Sequence, residues 1–303
     1  MSTRHLLSIT DFSPEEIGRV IQRAMEMKQG PQGTPLAGKN IAMLFEKPSL
    51  RTKVSFDVGI QQLGGHAVYM GRDEVGLGGR EPVADVARVL SRYVDAVVAR
   101  VFSHKALQEL AQYSSVPVIN ALSDEEHPCQ TLADLLTIRE RKGRLQGLTI
   151  AFIGDGNNVS ASLALGAASV GANFVIASPE GYELTAETTA RAKRIAASTE
   201  CTIRLVRQPQ EAAAGADVLY TDVWVSMGDE GEAAARLRAF QGYQVNPDLM
   251  RLANPGAIFL HDMPAHHGQE ISAGMLEHPQ SAVFDQAENR LHAQKAALEM
   301  LLT

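Results

Sequence analysis

Cysteine is scarce in this 303-residue chain: Cys129 and Cys201 stand apart, with no CxxC pair. That excludes a disulfide framework and a structural zinc site of the usual ligand spacing. No stretch approaches the roughly 18 apolar residues of a membrane-spanning helix. The opening "MSTRHLLSITDFSPEEIGRV" lacks the apolar centre of a signal peptide and carries acids that transit peptides avoid. Positive charge is also in deficit, with a net charge of −7. No nucleic-acid or membrane partner is therefore expected, although a single cationic cleft would not show in the total. Nothing repeats at a fixed period. The chain reads as a soluble cytoplasmic protein.

What remains is ordinary globular material, 45% apolar and 21% charged, and long enough for two domains. "FSPEEIGRVIQRAMEMK" opens as a helix: Ser13 caps it, Pro14 takes the first position and Glu16 completes a capping box. Ile17, Val20, Ile21 and Ala24 then share one face. After it, short apolar runs alternate with amphipathic stretches. The runs are "NIAMLFE", "HAVYM", "DAVVARV", "VPVINA", "LTIAFIGD", "NFVIASP", "TIRLV", "DVLYTDVW" and "AIFLHDMP". This alternation predicts an α/β protein whose parallel strands are covered on both faces by helices. The polar, glycine-bearing "RERKGRLQG" (139–147) divides the series, and "AENRLHAQKAALEMLLT" predicts a terminal amphipathic helix.

Ligands of such sheets bind at the carboxyl ends of strands, where helix starts present free N–H groups. "FEKPSLRTKVSF" (45–56) crowds hydroxyls and cations at one such place. Ser49 and Thr52 offer hydroxyls, Arg51 a planar fork, and the helix start backbone donors, a set suited to an anion. The plainer reading is a helix capped by Ser49 with a solvated arginine. In "EEHPCQTLADLLTI" (125–138), His127 and Gln130 are three apart and face one point near a helix start, which suits polarising a carbonyl oxygen. "GDGNNV" has Gly154 and Gly156, but Val159 stands where a dinucleotide fingerprint needs its third glycine. In "DVWVSMGDE", Asp222 can meet a cation, while Ser226 and the backbone of Met227 and Gly228 can meet a carboxylate or an ammonium. "FLHDMPAHHGQEI" gathers His261, Asp262, His266 and His267, yet the spacing fits no HExxH pattern and Pro264 breaks any aligning helix. No metal is expected.

In this order the motifs "PSLRTK", "VVARVF", "HPCQ", "GDGNNV", "DVWVSMG", "FLHDMPAH" and "AENR" resemble the transcarbamoylase family over essentially the whole chain, its ornithine-using members most of all. The resemblance implies two domains, each a parallel β-sheet flanked by helices, with the C-terminal helix packing back on the N-terminal domain. Residues 1–142 plus 288–303 would bind carbamoyl phosphate and 143–287 the amino acid. Ser49, Leu50 through its backbone, Arg51 and Thr52 would hold the phosphate. Arg100, His127 and Gln130 would hold the carbamoyl oxygen and phosphate, and Arg290 would reach back from the terminal helix. The backbone carbonyls of Asp262 and Met263 would hold the carbamoyl NH₂. Asn158, Asp222, Ser226 and Met227 would hold the α-amino and α-carboxylate groups of ornithine. Catalytic roles fall to Arg51, Arg100, His127 and Asp262.

A homotrimer with active sites at subunit interfaces is implied as well. Two departures stand out. His261-Asp262-Met263-Pro264 replaces the HCLP of ornithine enzymes, so a carboxylate stands where a thiol is usual. Gly76 stands roughly where the neighbour-facing loop commonly has glutamine, which makes Arg80 an alternative there.

The implied reaction carries the carbamoyl group of carbamoyl phosphate to the δ-amine of L-ornithine, giving L-citrulline and phosphate, as in arginine biosynthesis. An already activated donor requires no cofactor. Three alternatives remain: a carbamoyltransferase for a related amine, because of Asp262; a nucleotide-dependent oxidoreductase using the Gly154 turn; and a non-catalytic binding protein.

Overall fold

The computed structural model of the chain describes residues 3–30, 33–226 and 228–303. Met227, expected in the ornithine site, lies outside them. Among the described residues, the apolar runs form nine parallel strands. β1 (Asn40–Phe45), β2 (His66–Gly71), β3 (Ala96–Arg100) and β4 (Val118–Leu122) make one sheet in the order β2-β1-β3-β4. β5 (Thr149–Ile153), β6 (Asn173–Ala177), β7 (Ile203–Val206), β8 (Val218–Thr221) and β9 (Ile258–His261) make a second, in the order β7-β6-β5-β8-β9. β3 and β8 are buried along their whole length, as parallel strands covered on both faces must be.

The chain divides into two compact units. The first runs through Leu136 and regains Glu288–Thr303; the second is Thr137–Ala287. In the first, Val97, Ala99, Leu107 and Leu110 belong to one apolar core. The terminal helix Val283–Leu302 is tied to this unit by Arg23, which grips Glu299 with Nε at 2.6 Å and Nη2 at 2.9 Å. In the second unit, Ile153, Val175, Leu219 and Phe259 share a core. Local signals act as the sequence predicts. Ser13 caps the helix Pro14–Lys28, and Glu16 completes the capping box. Among the described residues, no helix is long and apolar enough to cross a membrane.

Candidate active site

In the first unit the strand order reverses between β1 and β3, and crevices beyond such a reversal are where α/β sheets bind ligands. Phe45 and Arg100 are register partners at that edge, so the chain segment after Phe45 starts beside the arginine. Ser49 caps the helix Leu50–Gln62, its Oγ accepting from the Thr52 N–H at 3.3 Å. The same hydroxyl donates to Thr52 Oγ1 at 2.9 Å. Ser49 therefore caps the helix, as the plainer reading expected, and its hydroxyl also joins a polar cluster at Thr52.

Thr52, fully buried, is the centre of that cluster. Its Oγ1 accepts from Arg290 Nη2 at 2.6 Å, and Arg100 Nη1 lies 3.5 Å away. Both arginines are buried. Two guanidinium groups at one hydroxyl repel each other in a low dielectric, and an anion between them would offset that repulsion. His127 feels both: burial, then Arg290 and Arg100, push its imidazole well below the usual histidine range, so it is neutral at pH 7.

Gln130, one turn into the helix Pro128–Lys142, donates Nε2 to Asp134 Oδ1 at 2.9 Å. A carboxylate accepts, so the amide is oriented with Oε1 as the group on offer. Sequence reasoning expected a donor here, and the Nε2 group is directed to Asp134. Gln130 Oε1 and Arg51 Nε are both shielded from solvent, with no hydrogen-bond partner among the described residues. Leu50 is exposed, in keeping with a backbone role.

In the second unit the order reverses between β5 and β8. Asp222 follows β8 and is buried; its Oδ2 accepts from Asn157 Nδ2 at 2.7 Å and its Oδ1 from the Val223 N–H at 2.6 Å. Asn157 also caps the helix Asn158–Ser169. Sequence reasoning singled out both Asn157 and Asn158 after the glycine turn as suited to a small polar ligand, and the resemblance carried Asn158 into the ornithine site; the side chain that meets Asp222 is that of Asn157. Ser226 accepts at its carbonyl from the Asp229 N–H at 3.0 Å.

The histidine-rich segment assembles differently from its sequence. Asp222, His261 and Asp262 each place a ligand-type atom within 4.8 Å of the others. His266 and His267 are exposed and outside this group. His261 Nδ1 accepts from the Met263 N–H at 2.9 Å, so Nε2 carries the proton and donates to the buried Glu270 Oε1 at 3.2 Å. With both ring nitrogens engaged, His261 has no lone pair for a metal. The cluster offers two carboxylates to a cation, with the imidazole held as a spacer. Met263 is held at φ +62°, a strain of about 1–3 kcal/mol for a non-glycine residue.

The glycine turn also answers one alternative. A Cβ on Gly156 would lie 2.2 Å from the Glu183 carbonyl carbon, and the Gly156 N–H donates to Tyr182 O at 2.8 Å. The backbone approach that a dinucleotide pyrophosphate would make is made instead by the chain itself.

A family model described as the carbamoyl-P binding domain of aspartate/ornithine carbamoyltransferase matches residues 4–140. A second, described as the Asp/Orn binding domain, matches 146–301. The ornithine carbamoyltransferase of Acidothermus cellulolyticus is 53% identical over 303 residues, covering 99% of this chain and 96% of its own. The Pyrococcus furiosus protein named "Ornithine carbamoyltransferase, anabolic" is 47% identical over 306 residues, 100% of this chain and 97% of its own. The solved ornithine carbamoyltransferase from the same organism superposes with a TM-score of 0.96 over 99% of this chain and 97% of its own, at 47% identity. Two switch-point sites of opposite charge, on two parallel sheets, and matches to both domains together mean that this chain belongs to the aspartate/ornithine carbamoyltransferase family.

Proposed function

We propose that the chain transfers the carbamoyl group of carbamoyl phosphate to the δ-amine of L-ornithine, releasing L-citrulline and phosphate. The observation that carries this reading is the meeting of Arg290 and Arg100 at Thr52 Oγ1, beside a neutral His127. Ser49, Thr52, Arg51, Arg100, Arg290 and the Leu50 backbone receive the phosphate. His127 donates to the carbamoyl oxygen, and Gln130 Oε1 accepts from the carbamoyl NH₂, together with the carbonyls of Asp262 and Met263. Asp222 and Asp262 attract the amino acid's cationic groups, while Asn158, Ser226 and Met227 complete its site.

The δ-amine, once deprotonated, adds to the carbonyl carbon. Negative charge grows on the carbonyl oxygen, and the C–O bond to phosphate breaks as the carbonyl re-forms. Each donor aimed at that growing charge is worth about 2.7–4 kcal/mol. The departing phosphate or Asp262 takes the amine proton. Arginine biosynthesis, a cytoplasmic location and a homotrimer in which Arg80 crosses to the neighbouring site belong to the same reading.

A colorimetric ureido assay on purified protein tests it, offering ornithine, aspartate, acetylornithine and putrescine in turn. Ureido product with ornithine well above the other three is expected. Preference for another amine would move the assignment to a sister activity. No product with any acceptor would remove it.

A further inference from the structure

Arg236 lies in the short helix Ala233–Ala239, outside every residue assigned above, and meets several partners at once. Its Nη1 donates to Asp155 Oδ2 at 2.7 Å and reaches Trp224 O at 3.3 Å. Nη2 pairs with Asp229 Oδ2 at 3.1 Å, and Nε lies 3.6 Å from Glu232 Oε2. The guanidinium carbon stands 5.1 Å from the Tyr182 ring centroid. Only 12% of the Arg236 side chain and 10% of the Asp155 side chain are exposed, so the pair is screened little by solvent.

These partners are placed to a purpose. Asp155 lies just past the end of β5, two positions before the Asn157 that holds Asp222. Trp224 and Asp229 flank Ser226 and Gly228 on either side, and Asp229 closes back on Ser226 through its N–H. One guanidinium thus ties the end of β5 to both limbs of the loop after β8. An ammonium could not reach all of them, because it lacks the planar fork and the five donors. Burial raises the Asp155 carboxyl while Arg236 opposes that rise, so the carboxylate depends on this partner to stay charged.

We propose that Arg236 is the positioning residue of the amino-acid side of the site: clamped between Asp155, Trp224 and Asp229, it sets Ser226 and the Gly228 backbone where the acceptor's α-amino and α-carboxylate groups bind. The proposal rests on the acceptor reading above and adds a residue that touches no substrate. Its effect falls on acceptor affinity and leaves the carbamoyl phosphate site, built in the other unit, untouched.

Arg236→Lys and the milder Asp229→Asn test it by two readouts. In steady-state kinetics, Arg236→Lys raises the ornithine KM about tenfold or more, as loss of a supporting contact behind binding groups does. The kcat and the carbamoyl phosphate KM stay within about threefold of wild type, a split that a general loss of folding would not give. Asp229→Asn moves the ornithine KM in the same direction by less, and covers the case in which the lysine variant does not fold.

The second readout needs no substrate. Trp224 is the chain's single tryptophan and is buried, so acrylamide quenching of its fluorescence reports the clamp directly and rises in both variants. Unchanged ornithine KM in both variants overturns the proposal, as does an equal rise in the carbamoyl phosphate KM. A wild-type protein that makes no citrulline removes the acceptor reading and with it the kinetic role. Unchanged quenching in both variants removes the clamp itself.

Discussion

Arg290 Nη2 lies 2.6 Å from Thr52 Oγ1 although 238 positions separate the two residues. Ser49 holds the same hydroxyl from inside its own motif. The helix Val283–Leu302 thereby delivers a guanidinium to the start of the helix Leu50–Gln62, and the polar cluster at Thr52 draws on segments far apart in the chain.

Thr52→Val removes that shared oxygen while keeping the shape of the side chain. The Arg290 Nη2 loses this acceptor and Ser49 its hydroxyl partner. A hydrogen bond to a charged group contributes about 1.5–3 kcal/mol, so the carbamoyl phosphate KM should rise about 10- to 100-fold. The ornithine KM, measured at saturating carbamoyl phosphate, should change far less. Equal rises in both would mean that the valine disturbs the fold rather than the anion.

Acidification should weaken the protein through His127. Unfolded, this histidine titrates near 6.5; folded, it stays neutral well below that value. Between the two the unfolded chain binds the additional proton, so stability is fully present above about pH 6.5 and is lost as pH falls. His5 and His292 are shifted in the same direction and share the slope. Urea unfolding between pH 5 and 7.5 should give a shallower acid slope for His127→Asn, by up to about 1.4 kcal/mol per pH unit. An identical slope in the two proteins would rule out this origin.

Asp262 lies in the Asp222–His261–Asp262 group, and its charge should set when the acceptor amine loses its proton. An anion beside an ammonium favours the charged form. Asp262→Cys removes that anion at neutral pH and restores the thiol usual in ornithine enzymes. The rising limb of kcat against pH should therefore move to lower pH, by up to about one unit. Equal rates with an unmoved limb would show that Asp262 has no such part.

Gly156→Ala tests how tightly the turn after β5 is closed. Its Cβ would meet backbone atoms of Glu183 and Leu184 at 2.2–2.3 Å. Backbone cannot swing aside as a side chain can, so a loss of at least about 1–3 kcal/mol is expected, with amino-acid binding weakened through the neighbouring Asn157. Denaturant melting within about 0.5 kcal/mol of wild type would mean that the segment at Glu183 yields freely.

Much of this architecture was legible beforehand because it is written over short distances. Each of the nine described strands falls inside one of the nine apolar runs to within one residue, and the Ser13 and Glu16 capping box forms as its spacing requires. The missing third glycine at Val159 argued against a dinucleotide, and the packing of Gly156 supplies the physical cause. His261, Asp262, His266 and His267 looked like one cluster because they are close in sequence. In space two of them leave it and Asp222, from another strand, joins. Gln130 was recognised as a polar group at a helix start, but its Asp134 partner, which orients the amide, was not legible in the motif.

The chain's periodicity, caps and motif order were enough by themselves to determine two parallel α/β units and a family, because each such signal spans no more than one helix or strand. Which atoms face one another was decided only in three dimensions. Strand order places Asn157 against Asp222, the closing helix carries Arg290 to Thr52, and a remote loop presses on Gly156. Contacts of that kind depend on packing between segments far apart in sequence, and no local pattern encodes the distance.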